Sequence, residues 1–99
     1  MKHVKVFHKT GRFAENKDIA RDMRVQELLP ALERGEKIVI DFKDVDAATQ
    51  SFIHALISDA IRRFGTDALE RISFKGCNKN VQQMINIVAD YVQEGLGEG

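Results

Sequence analysis

Between Glu36 and Phe64 the chain reads EKIVIDFKDVDAATQSFIHALISDAIRRF, and the spacing of its apolar positions changes partway along. Ile38, Val39, Ile40 and Phe42 form an almost unbroken β-branched and aromatic run, the pattern of a strand covered on both faces, so the run predicts a mid-sheet strand. Beyond the loop 43–48, Phe52, Ile53, Leu56, Ile57, Ala60, Ile61 and Phe64 recur at three and four residues and predict one apolar stripe on a helix. Thr49 is the expected N-cap. It leaves Ala48 and Ile53 placed as a hydrophobic staple and puts Ser51 in the first turn. Ser51, His54, Ser58 and Arg62 share a second spacing, away from the apolar one, and are expected to form an exposed stripe.

The flanking segments follow the same logic. His3 to His8 alternates and predicts a strand at the sheet edge; Lys9 to Arg12 predicts a turn, and Phe13-Ala14 returns to the core. Asn16 is placed to cap a helix whose apolar face runs through Ile19, Ala20, Met23, Leu28, Leu29, Ala31 and Leu32 and stops at Gly35. Pro30 removes a backbone donor there, which predicts a kink or two short helices meeting near residues 24–27. After a connection over 65–69, Ile72 and Phe74 predict a third strand ending at Gly76. A last helix should bury Val81, Met84, Ile85, Val88, Tyr91 and Val92, with Asn80 and Gln83 as its capping box, before a flexible tail over 95–99. Strand and helix alternate throughout. The expected fold is therefore α/β: one small domain over 1–94, a mixed, mostly parallel sheet with an amino-terminal edge strand, and about three helices.

Composition narrows the chemistry. Fifteen basic residues balance fifteen acidic ones, so no global field recruits nucleic acid or an anionic membrane. The first 24 residues hold seven basic and three acidic side chains, a mild excess read as solvated surface. One cysteine, Cys77, excludes an internal disulfide; with neither a signal-peptide core nor a membrane-length apolar run, the cytoplasm is the expected compartment. Cys77 precedes a helix, where the dipole lowers a thiol pKa, but it has no histidine near it in sequence and is read as packing. His3, His8 and His54 lack metal-ligand spacing, and no phosphate-cradling glycine loop is present. No catalytic residue, metal or cofactor is expected. Ligands of open α/β sheets bind beyond the carboxyl ends of the strands, which makes 41–51 the functional edge.

With the segments GEKIVIDFKDVDAATQSFIHALI and ISFKGCNKNVQQMI in place after an edge strand and a long first helix, the chain resembles the STAS-like domain family, small bacterial relatives of anti-sigma-factor antagonists. The resemblance covers nearly the whole domain and is most specific at Ile40 to Phe42, Val45 and Gln50-Ser51-Phe52. It implies a non-enzymatic regulatory module that docks a partner through the loop and helix 44–62. Asp44, Asp46, Thr49, Gln50, Ser51, His54, Ser58 and Arg62 would form the surface, and a histidine-kinase-like ATPase or sigma-factor regulator would be the partner. Better-known STAS antagonists are phosphorylated at a serine opening this helix. Gln50 stands at that position here and cannot accept phosphate, so Ser51 or Thr49 would be the phosphoacceptor. A homodimer is left open. The alternative is a small-ligand or nucleotide sensor holding an anion at helix N-termini, with Thr49, Ser51 and Asn78 to Asn80 as donors.

Overall fold

In the computed structural model, which describes residues 1–97, the chain runs β1 (Lys2–Lys5), α1 (Phe7–Thr10), β2 (Phe13–Ala14), α2 (Lys17–Met23), a π-helical turn (Arg24–Leu28), α3 (Leu29–Glu33), β3 (Ile38–Asp41), β4 (Ala47–Ala48), α4 (Gln50–Phe64), α5 (Thr66–Arg71), β5 (Ile72–Lys75) and α6 (Lys79–Gly97). The main sheet has the order β1-β3-β5, parallel throughout, with the expected edge strand at β1 and β3 in the middle. In this register Ile40 lies between Val4 and Phe74. Because strand side chains alternate, Val4, Ile38, Ile40 and Ile72 enter the core together, while His3, Lys5, Ser73 and Lys75 line the opposite face in solvent. The run at β3 suggested cover on both faces; on the second one Val39 is half-buried and Asp41, at the end of the strand, is buried.

Helix α4 closes the core. Thr49 has extended backbone (φ −82, ψ 156) and its side chain accepts the Phe52 N–H at 3.1 Å, the predicted cap. Phe52, Ile53, Leu56, Ile57, Ala60 and Ile61 are all buried, with α2 and α6 packed along its flanks. Burying the Phe, Leu and Ile side chains among them contributes roughly 1.5–3 kcal/mol each, which makes the α4 stripe a large source of stability.

Several local features differ from the sequence reading. The first strand stops at Lys5 because the Val6 carbonyl takes the N–H of both Lys9 and Thr10 and the Thr10 hydroxyl at 3.2 Å, winding 7–10 into α1 instead of extending to His8. The connection after Gly65 winds into α5, so helices beyond the expected three are present. Phe13-Ala14 pairs in parallel with Ala47-Ala48 as a second, two-stranded sheet. The expected irregularity near 24–27 is the π turn, in which the Leu29 N–H reaches back to the Arg24 carbonyl; Pro30 follows without a donor of its own, at the start of α3.

At α6 the cap is Asn78, whose Oδ1 accepts the Val81 N–H at 2.9 Å, and not Asn80. Val81, Ile85, Val88 and Val92 are buried as predicted, but Tyr91 is 63% exposed, at the rim of the stripe. The helix extends to Gly97, into the segment 95–99 expected as a flexible tail; residues 98–99 lie outside the described residues. Among the described residues, no helix is long and apolar enough to cross a membrane.

Candidate functional site

The segment leaving β3 is short and highly constrained. Asp41 is buried, and its Oδ1 accepts the Lys43 N–H at 2.9 Å; the Phe42 N–H reaches the Lys75 carbonyl at 2.8 Å. The Val45 N–H then closes on the Phe42 carbonyl at 3.0 Å, a turn that places Asp44 at φ 70, the left-handed region that aspartate tolerates better than bulkier residues. Gly76 abuts this turn at φ 68. A Cβ there would sit 2.7 Å from both Asp41 Oδ1 and the Lys43 nitrogen, so the ends of β3 and β5 approach this closely only with glycine at 76.

From Val45 onward the backbone is held by two other segments. The Asp46 N–H donates to the Arg12 carbonyl at 2.7 Å, and the Thr49 N–H donates to the Ala14 carbonyl at 3.0 Å. Arg12 also reaches the Asp46 carboxylate at 3.6 Å, a pair too exposed to contribute much stability. Asn78 faces both ways. While its Oδ1 caps α6, its Nδ2 donates to the Asp46 carbonyl at 2.6 Å and approaches the Val45 carbonyl at 3.4 Å. Asn80 Oδ1 accepts the Ala48 N–H at 3.2 Å. The two asparagines therefore tie the loop to the start of α6.

These bonds redistribute the predicted roles. Asp44, Asp46, Thr49, Gln50, Ser51 and Arg62 are exposed, and His54 is half-buried. Ser58 is only 4% exposed, which overturns its place in an exposed stripe: packing around the middle of α4, flanked by α2 and α6, buries this serine along with the apolar stripe. Arg62 thus stands apart, roughly 16 Å along the helix axis from Ser51 at 1.5 Å per residue. The accessible edge is the loop 44–49 with the first turn of α4. Of the donors expected for an anion at this edge, the Asn78 amide is committed to the Asp46 carbonyl, while the Thr49 hydroxyl and the Asn80 amide oxygen act as acceptors within the fold. The Ser51 side chain makes no hydrogen bond to the described residues.

The concavity lies beside the loop rather than in it. Gln50, Ser51 and His54 of α4, Lys17 of α2, and Val88 and Tyr91 of α6 border an open cleft of about 520 Å³. Sequence reasoning missed Lys17 and Tyr91. Lys17 was visible only as the residue after a cap, and Tyr91 was assigned inward by its spacing, although its polar hydroxyl is the signal of a rim position. On the β1 side, Lys5, Phe7, His8, Asp41, Lys43 and Asp44 border a smaller hollow of about 140 Å³.

Cys77 is half-buried, and its pKa is raised, first by burial and then by the nearby Asp41 carboxylate. That is the reverse of the lowering expected from a helix dipole, and it keeps the thiol protonated at neutral pH. Among the described residues, no group of three His, Cys, Asp or Glu side chains is placed to hold a metal ion.

A family model described as a STAS-like domain of unknown function (DUF4325) matches residues 25–82. The match is narrower than the resemblance read from the sequence. It begins in the π turn and ends in the first turn of α6, enclosing β3, the braced loop, α4, β5 and both asparagines. Lys17, Val88 and Tyr91 of the cleft lie outside it. No curated protein and no solved structure matches the chain.

Proposed function

Because the chain belongs to the STAS-like domain family, we propose that it is a non-enzymatic regulatory module that docks a protein partner through the loop 44–49 and the first turn of α4. The observation that carries this reading is the bracing of the loop. Its backbone is tied to Arg12, Ala14, Asn78 and Asn80, while Asp44, Asp46, Gln50 and Ser51 project into solvent. A surface held in one shape loses little conformational entropy when a partner binds it, which supports its use in recognition. A histidine-kinase-like ATPase or a sigma-factor regulator is the partner class that the likeness to anti-sigma-factor antagonists suggests. Ser51 is the better phosphoacceptor, because its hydroxyl is exposed and makes no hydrogen bond to the described residues, whereas that of Thr49 caps the helix. A phosphoryl group there would meet the positive end of the α4 dipole, so it would be tolerated by the fold while changing the charge of the docking edge.

The test is affinity capture from native cells, followed by titration of the purified partner against the wild type, Gln50→Arg, Ser51→Asp and Arg62→Glu. Gln50→Arg should weaken association by about tenfold or more and Arg62→Glu by much less, since hot spots cluster where partner contact is central. Equal affinity for wild type and Gln50→Arg, with both folded, would move the docking surface elsewhere.

A further inference from the structure

The cleft between α2, α4 and α6 has features that protein docking at the loop does not require. Its volume of about 520 Å³ falls within the usual size of small-molecule sites. None of the residues bordering it is acidic. Lys17 forms no ion pair among the described residues, and His54, half-buried in the wall, forms no side-chain hydrogen bond among them. Gln50 and Ser51 occupy the first two positions of a fifteen-residue helix, where N–H groups have no intrahelical acceptor, and the Thr49 cap satisfies only the N–H of Phe52. Opposite this polar wall stand the buried Val88 and the exposed ring of Tyr91, a large apolar group left in water at the lip.

We propose that this cleft binds a small organic anion with a flat apolar body, its carboxylate or phosphate held by Lys17 with Gln50, Ser51 and His54, and its body laid against Tyr91 and Val88. Each wall has a use that the isolated domain leaves unfilled. Cationic and N–H donors without an anionic partner favour a negative head group, and a solvent-exposed tyrosine ring gains most by covering a planar surface. This binding is independent of the docking reading, although Gln50 and Ser51 belong to both sites, so an occupied cleft would alter the surface offered to a protein partner.

Isotope-labelled full-length protein, with no partner present, tests the proposal by NMR titration with four probes: adenosine 5′-monophosphate, naphthalene-2-carboxylate, adenosine and inorganic phosphate. At least one of the two anionic aromatics should give saturable shifts at the amides of 50–55, Val88 and Tyr91 with a Kd below about 1 mM, with adenosine and phosphate at least about tenfold weaker. Lys17→Glu should weaken that binding by about tenfold or more, since it removes the charge-assisted contact while adding an acid that the first turn of α2 tolerates. Tyr91→Ala, also at an exposed position, should weaken it several-fold without loss of fold. The proposal is overturned if neither anion shifts these amides up to about 10 mM, a concentration at which even a very weak site would fill. It is equally overturned if Lys17→Glu binds as tightly as wild type, or if inorganic phosphate alone matches the aromatic anions. Failure of partner docking would leave all of these outcomes unchanged.

Discussion

Asn78 offers a direct measure of how much the loop 44–49 depends on its brace. One side chain performs two separable tasks, the cap on Val81 at 2.9 Å and the donation to the carbonyls of Asp46 at 2.6 Å and Val45 at 3.4 Å. Asn78→Ser keeps an oxygen able to cap but is too short to reach the loop; Asn78→Ala loses both. Losing an N-cap costs about 1 kcal/mol. Losing the loop bond costs about 1 kcal/mol, rising toward 2 because the Val45 carbonyl is part-buried and would be left with less water to replace it. Urea denaturation should therefore show losses of about 1–2 kcal/mol for Asn78→Ser and about 2–3 kcal/mol for Asn78→Ala, with unchanged m-values. Hydrogen exchange adds the location: in Asn78→Ser, faster exchange should be concentrated at the Asp46 to Thr49 amides while α6 stays protected. A loss below about 0.5 kcal/mol for Asn78→Ser, the size of an ordinary surface substitution, would refute the brace. So would faster exchange confined to α6.

Three further outcomes follow from the same geometry. Ser58→Asp, placed where only 4% of the residue is accessible, should cost more than about 2 kcal/mol at neutral pH. Burial would raise that carboxyl's pKa, so the penalty should shrink as pH falls and the group becomes neutral; a penalty that stayed small and flat in thermal melts across pH would mean that position 58 is solvated. Gly76→Ala should lower stability by about 2–4 kcal/mol, combining left-handed strain at φ 68 with displacement of the Asp41 contact to Lys43, and a neutral result in denaturant melts would rule out the close approach. Alkylation of Cys77 in the native protein should rise with pH later than in the urea-unfolded chain, because burial and Asp41 hold the thiol protonated; Asp41→Asn should shift the profile partly back, and a native profile displaced to lower pH would contradict the assignment.

What could be read from the chain alone was whatever depends on neighbours in sequence. The Thr49 cap, the Asn16 cap on Asp18 at 2.9 Å, the α4 stripe and the buried Ile40 and Phe42 all follow from spacing and local hydrogen bonding. The errors fall where a distant segment decides. Ser58 has a polar side chain and sits off the main apolar stripe, yet it is buried, which no property of α4 itself reveals. Asn80, with Gln83 three residues on, carries the capping-box signal in sequence, yet Asn78 caps the helix while Asn80 accepts the Ala48 N–H from across the fold. The pairing of β2 with β4 involves two residues on each side, too few to leave a periodic signature. The candidate site was legible as an edge, but its cleft was not, since Lys17, His54 and Tyr91 come from three helices and share no spacing.

The all-parallel register also sets the order in which this chain can acquire structure. Lys2 lies beside Ile38, and Ile38 beside Ile72, so no strand of the main sheet can pair with the next one through a tight hairpin. Each pairing requires closure of a long intervening loop before any ladder bond forms, which makes the contacts non-local and their formation slow relative to that of the helices. On a ribosome, β1 and β3 could align while β5 was still in the exit tunnel, but the Phe42 N–H would lack the Lys75 carbonyl and the Asp46 carbonyl would lack Asn78. The loop 44–49 therefore takes its final shape only after Asn80 has emerged, and a nascent or truncated chain ending before that point would not present it.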